Sequence, residues 1–227
     1  MILHIIRHAD PDYPNNTITE FGKQEAEALA VYMRNVLLDK IYTSPLGRAI
    51  DTALPTCREK GLEYTVLPWT AESMDYMRPC DMPGNCSYTF TLTEGVRDFT
   101  DLTSESRNGS IELLVQNSDA FLTSLGFERC GARYRVLRKN DEHVAVFCHG
   151  GFGGAWISHL LLRPAELSWL DIRLQTTGIT TFEFSSAGEY AFPVLRQLGA
   201  IPHILLAGLR INNRYLQIAN CKLKIEN

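Results

Sequence analysis

The sequence is short of several things that would have set its class at once. No apolar run is long enough to span a bilayer, and strand-like residues begin at position 2 with no signal-peptide layout, so a membrane or exported protein is not expected. Cysteine is present six times (57, 80, 86, 130, 148 and 221) but never as CxxC or with zinc-type spacing, which leaves no structural zinc site to predict. A free, buried thiol is expected at Cys148, inside an apolar run, and unpaired loop thiols at Cys80 and Cys86. Both expectations fit a reducing cytoplasm. Positive charge is not in excess: the formal net charge is −4, too little cationic field for broad nucleic-acid or acidic-membrane binding. Internal repeats and low-complexity linkers are also missing, so residues 1–227 are expected to form a single domain.

What is present is an alternation of short β-rich runs with helical stripes. Strands are predicted at residues 2–6, 39–43, 64–69, 133–137, 143–148, 179–184 and 190–198, with the runs at 133–137 and 143–148 joined across Asn140–Asp141. Thr17-x-x-Glu20 reads as a capping box opening a helix whose stripe is Ala26, Leu29, Ala30, Met33 and Leu37. Ser44 followed by Pro45 predicts a second helix start, with Pro55 shortening or kinking that helix and Gly61 closing it. Helices are also expected over 111–125 and over 153–162, the latter stopped by Pro164. Residues 73–110, rich in Met, Pro, Cys, Thr and Tyr and without periodicity, read as an insertion. Strands alternating with helices imply an α/β fold, a three-layer αβα sandwich with a mainly parallel central sheet and the insertion as a cap. Tyr76, Tyr88, Phe90 and Phe99 could line such a lid or simply pack it down.

Chemistry concentrates where apolar runs end. "MILHIIRHAD" closes its run on Arg7 and His8, and "HVAVFCHGG" closes on His149 followed by Gly150. Ligands of open α/β sheets bind beyond the carboxyl ends of the strands, so both imidazoles are expected on one rim. Arg48, early in the helix after the second strand, joins them. An isolated Arg–His pair can merely end a strand. Two imidazoles, two guanidiniums and a glycine at a helix start together suit a phosphate, whose oxygens accept bidentate guanidinium and backbone N–H bonds. His4 and His159 read as core histidines, and His143 and His203 as structural or surface residues.

In that order, "IIRHAD", "ITEFGKQEAEALA", "YTSPLGRAIDTA" and "VFCHGG" resemble the motifs of the histidine phosphatase superfamily, over residues 1–72 and about 143–184. The resemblance implies the three-layer fold, no metal or other cofactor, and a small-molecule phosphoester as partner. It also implies His8 as the nucleophile that becomes phosphohistidine, His149 as the second catalytic histidine, and Arg7, Arg48 and Gly150 as phosphate ligands. Glu72 stands where the family's general acid follows a strand, with Asp75 and Asp10 as rival carboxylates. Two positions depart from the pattern: Ala9 replaces the usual glycine, and Pro14 replaces an asparagine that touches phosphate, with Asn15 and Asn16 beside it. The implied activity is a metal-independent phosphatase. The alternatives are a phosphoglycerate-type mutase, a protein phosphohistidine phosphatase and a non-catalytic phosphate-binding module.

Overall fold

In the computed structural model of the chain, residues 1–72, 109–163, 168 and 172–211 are described. Of the cap predicted over 73–110, Gly109 and Ser110 belong instead to the helix Gly109–Ser124, and the rest, with Asp75, Cys80, Cys86 and the four aromatic residues, lies outside the described residues. The chain order is β1 (Ile2–Arg7), β2 (Pro11–Asp12), β3 (Thr17–Ile18), α1 (Glu20–Met33), β4 (Lys40–Thr43), α2 (Gly47–Lys60) and β5 (Tyr64–Val66). A 3-10 turn at Pro68–Thr70 follows, then α3 (Gly109–Ser124), β6 (Phe127–Cys130), β7 (Arg133–Val136), β8 (His143–Cys148), α4 (Gly150–Leu160), β9 (Ile179–Ala187), β10 (Tyr190–Ala200) and α5 (Pro202–Leu206).

The main sheet has the strand order β5-β4-β8-β1-β9-β10-β7-β6. From β5 to β1 every pairing is parallel. Beyond β1 every pairing is antiparallel. The parallel arrangement therefore holds for the half crossed by α1 and α2, while the other half is built by hairpins such as β9–β10, which turns at Gly188 with φ 67°. β7 and β8 are joined across Asn140–Asp141 but are not neighbours.

Alternation along the central strands makes the three layers. Leu3 and Ile5 of β1, and Val144, Val146 and Cys148 of β8, face α3 and α4 in one core, with Trp156 and Phe152. Ile6, Ala145 and Phe147 face the opposite way, onto Leu29 and Met33 of α1 and Ala53 and Cys57 of α2. Runs that are apolar at every position are what a strand covered on both faces requires. Each fully buried Leu, Ile or Phe here contributes about 2 kcal/mol of transfer free energy. Among the described residues, no helix is long and apolar enough to cross a membrane.

The helix starts differ from expectation, always beside the rim. Thr19, not Thr17, caps α1, its side chain accepting from Gly22 N–H, and Leu37 lies past the helix end and is exposed. Thr17 instead sits in the β2–β3 ladder and donates to Asp51. Helix α2 starts at Gly47 with no side-chain cap. It runs through Pro55, because the buried Ala49, Thr52, Ala53, Thr56 and Cys57 hold the turns on either side of the missing N–H bond. Gly61 ends it at φ 63°, as expected. Helix α4 starts at Gly150 rather than Gly153, and β6 is a strand the apolar pattern did not reveal.

Candidate active site

Backbone register brings the two histidines together. Arg7 and Cys148, the last residues of the parallel strands β1 and β8, are register partners, and His8 N–H donates to Cys148 O over 2.9 Å. His8 and His149 therefore leave adjacent strands at the same level, with ring centroids 5.3 Å apart and planes tilted by 57°. One strand further on, Ser44 N–H donates to Phe147 O after β4 ends. Its hydroxyl oxygen lies 2.7 Å from His149 Nε2. Thr52 of α2 accepts from Ala9 N–H and donates to the Arg48 carbonyl, tying the segment after His8 to the helix that carries Arg48.

Both imidazoles are fully buried. His8 Nδ1 pairs with the Ala9 carbonyl over 2.7 Å, an acceptor that places the ring proton there and leaves Nε2 as a bare lone pair. Burial, then the Arg7 guanidinium and more weakly Arg48, lower the His8 pKa to about 3 against the opposing pull of that carbonyl. Burial, with His8, Arg48 and Arg7 adding to it, lowers His149 to about 2. Ser44 Oγ already accepts weakly from Leu46 N–H, so its own proton is available to His149 Nε2. That arrangement puts the single N–H of the neutral ring on Nδ1, facing Glu72.

Glu72 follows the 3-10 turn and reaches the rim. Oε1 accepts Gly151 N–H in the first turn of α4 over 2.9 Å, and Oε2 accepts from Arg48 Nη2 over 3.3 Å and lies 3.9 Å from His149 Nδ1. No local side chain caps α4, so this distant carboxylate serves its N-terminus. His8 Nε2, His149 Nδ1 and Arg48 Nε are buried without a hydrogen-bond partner among the described residues. One donor atom each from His8, Glu72 and His149 lies within 4.8 Å of the others, close enough to converge on one ion. Two guanidiniums beside that point oppose a dication and favour an anion.

Arg7, His8, Arg48 and His149 thus meet at one rim, as the strand ends implied, and Glu72 and Gly150 join them there. Arg7 donates to Leu174 O over 2.6 Å, in the loop before β9, and a Cβ on Gly150 would lie 3.1 Å from its Nε. Asp10 is buried and takes the Thr19 hydroxyl at 2.7 Å. Two places after Pro14, Asn16 Oδ1 accepts from Arg48 Nη1 over 3.3 Å at a backbone φ of 50°. Gly47 is needed beneath it, since a Cβ there would come within 2.2 Å of Asn16 O. Sequence reasoning missed Ser44 as a histidine partner, Thr52, and Glu25, which is buried and accepts both Asp10 N–H and the Thr176 hydroxyl. Glu25 had one readable signal: a carboxylate beside Ala26 on the apolar stripe of α1.

His4 is a core histidine bonded to Thr181, and His203 is buried against the Thr177 hydroxyl. His159 is not an apolar-core residue: it pairs with Asp119 and Arg129. Cys148 is buried and free, as expected.

Residues 3–76 match the family described as Histidine phosphatase superfamily (branch 1). No curated protein matches the sequence. Among solved structures, a phosphoserine phosphatase from Entamoeba histolytica, in complex with 3-phosphoglyceric acid, superposes with a TM-score of 0.62 at 23% identity, covering 89% of this chain and 98% of that one. A mycobacterial glucosyl-3-phosphoglycerate phosphatase gives 0.58 at 20%, covering 88% and 98%. Bacillus stearothermophilus YhfR gives 0.62 at 19%, covering 89% and 98%. At these identities the likeness establishes the fold. The resemblance read from the motifs is upheld: the chain carries the histidine phosphatase superfamily's N-terminal sequence pattern on that superfamily's fold.

Proposed function

We propose that this protein is a phosphoric monoester hydrolase that acts on a small phosphoester through a phosphohistidine formed on His8, without a metal. One observation carries the reading: among the described residues, buried His8 Nε2, His149 Nδ1 and Arg48 Nε have no hydrogen-bond partner, and His8, His149 and Glu72 each bring one atom within 4.8 Å of the others. Buried polar atoms left unpaired are costly, and a phosphoryl group would satisfy them. The similar solved structures described as phosphatases of phosphoserine and glucosyl-3-phosphoglycerate support the same class.

In the proposed reaction neutral His8 Nε2 attacks phosphorus, the P–O ester bond breaks, and the leaving oxygen takes a proton from the Glu72 carboxyl. Glu72 then accepts a proton from water, whose oxygen attacks the phosphoryl group. The P–N bond breaks, inorganic phosphate leaves, and His8 is again neutral. Arg7, Arg48 and the His149 Nδ1–H offset charge on the phosphoryl oxygens throughout. Gly150 lets the start of α4 and Arg7 approach closely.

The test is hydrolysis of an aryl phosphate, with and without chelator, by the unaltered protein and by His8→Ala. We expect chelator-insensitive release of inorganic phosphate and a loss of ~10³-fold or more in the variant. Acid-labile labelling by substrate phosphate should vanish with it. Labelling retained by His8→Ala, or an isomerised ester in place of inorganic phosphate, overturns the reading.

A further inference from the structure

We propose, resting on the reading just given, that the Glu72 carboxylate is the pocket's resident anion. It occupies the position of the incoming phosphoryl group, and substrate must displace it before it can act as the acid.

The donors that hold Glu72 are those a phosphoryl group beside His8 would need. Oε1 takes the Gly151 N–H, one of the donors that make a helix start an anion site, and Oε2 takes Arg48 Nη2 with His149 Nδ1 at 3.9 Å. A carboxylate with both oxygens accepting at those donors cannot also present a proton to an ester oxygen. The two duties require two positions of one side chain. The rest of the pocket does not depend on Glu72. Arg48 is also held by Asn16 through Nη1, His149 by Ser44, and His8 by the Ala9 carbonyl, so the site stays assembled when the carboxylate leaves. The 3-10 turn before Glu72 is anchored as well: Trp69 packs edge-on against Phe152 and Trp156 of α4, with centroids 5.5 and 5.2 Å away. The exchange is then a swing about Ala71–Glu72 on a rigid base. Phosphate gains donors that the protein had satisfied internally, which lowers its affinity in the ground state. The displaced carboxylate, no longer held by those donors, takes up a proton from solvent, and it is this carboxyl that serves the leaving oxygen.

Calorimetric titration of inorganic phosphate into unaltered protein, Glu72→Asp and Glu72→Ala distinguishes occupancy from simple charge repulsion. Aspartate keeps the charge but is one methylene too short to reach both Gly151 N–H and Arg48. We expect both variants to bind phosphate roughly ten-fold more tightly than the unaltered protein, the worth of one charge-assisted hydrogen bond. Aryl phosphate turnover should fall in both. Tightening in Glu72→Ala alone means that repulsion suffices, and it overturns the proposal, as does unchanged or weaker binding in Glu72→Asp. If the unaltered protein neither hydrolyses aryl phosphate nor binds phosphate, the proposed function itself fails. An active protein whose Glu72→Asp form gains no affinity loses only the exchange.

Discussion

Helix α4 has a polar cluster at each end, and the two are opposites. At its C-terminal end His159, Asp119, Arg129 and Tyr134 form a closed set. Arg129 donates to Asp119 at 2.8 Å and to the Tyr134 oxygen at 2.5 Å, His159 Nε2 lies 3.0 Å from both Asp119 and Arg129, and the guanidinium also stacks over the Tyr134 ring at 4.7 Å. Burial pulls the Asp119 carboxyl upward, but the hydrogen bonds from His159 and Arg129 outweigh it and hold the group below its usual range. At the N-terminal end, where two guanidiniums, two neutral imidazoles and one carboxylate meet, His8 Nε2, His149 Nδ1 and Arg48 Nε are buried without partners among the described residues. A satisfied network holds structure together. An unsatisfied one of a single dominant sign waits for a ligand.

The contrast can be broken, and the first blow falls on activity. Arg48→Ala should lower kcat/KM for an aryl phosphate by about 10³-fold, the scale of losing a preorganised charge donor, whereas Arg129→Ala should leave kcat/KM within about two-fold. Equal losses in the two variants would erase the distinction drawn between the clusters. Ser44→Ala should lower kcat by about ten-fold by freeing the His149 tautomer, with Ser44→Thr restoring most of it. No rescue by threonine would mean that packing, not the hydroxyl, matters there.

Stability completes the comparison. Unfolded histidines titrate near 6.5, whereas His8 and His149 are held at about 3 and about 2, so between those values the unfolded chain binds protons that the fold cannot. Their contribution is full above pH 6.5 and drains away as pH falls. Between pH 6.5 and 5 each should cost about 2 kcal/mol, with His4 and His203, both at about 4, adding similar slopes. Denaturant midpoints across that range, compared with those of a His8→Asn/His149→Asn double variant, read the rim's share; identical slopes would refute it. Last, Arg129→Ala should destabilise by about 2 kcal/mol at neutral pH, because it takes the guanidinium from Asp119, leaving it His159 alone, and removes the donor to the Tyr134 hydroxyl.

Much of this was legible in the chain. The runs ending in Arg7–His8 and in His149 gave the strands, and parallel strand ends gave the shared rim. The helix starts were misread for a physical reason: near the site, the residues that normally cap helices are engaged elsewhere. Ser44 serves His149 rather than α2, Thr17 bonds Asp51 rather than α1, and α4 receives its cap from Glu72, 79 positions earlier. Local pattern cannot foresee a cap delivered across the molecule. The antiparallel half of the sheet was hidden similarly, since strand runs reveal their existence but not their partners. Asn16 stood two places beyond the expected asparagine and meets Arg48 from a left-handed backbone that the sequence does not announce.

The shared register of β1 and β8 sets the spacing of the two imidazoles through main-chain bonds, with no help from the rings themselves. Deleting either ring should therefore leave a correctly shaped receptacle. If the proposed phosphatase reaction holds, catalytically dead versions of this protein should persist as folded traps that hold a phosphoester uncleaved, which makes them suitable bait for fishing its substrate out of an extract.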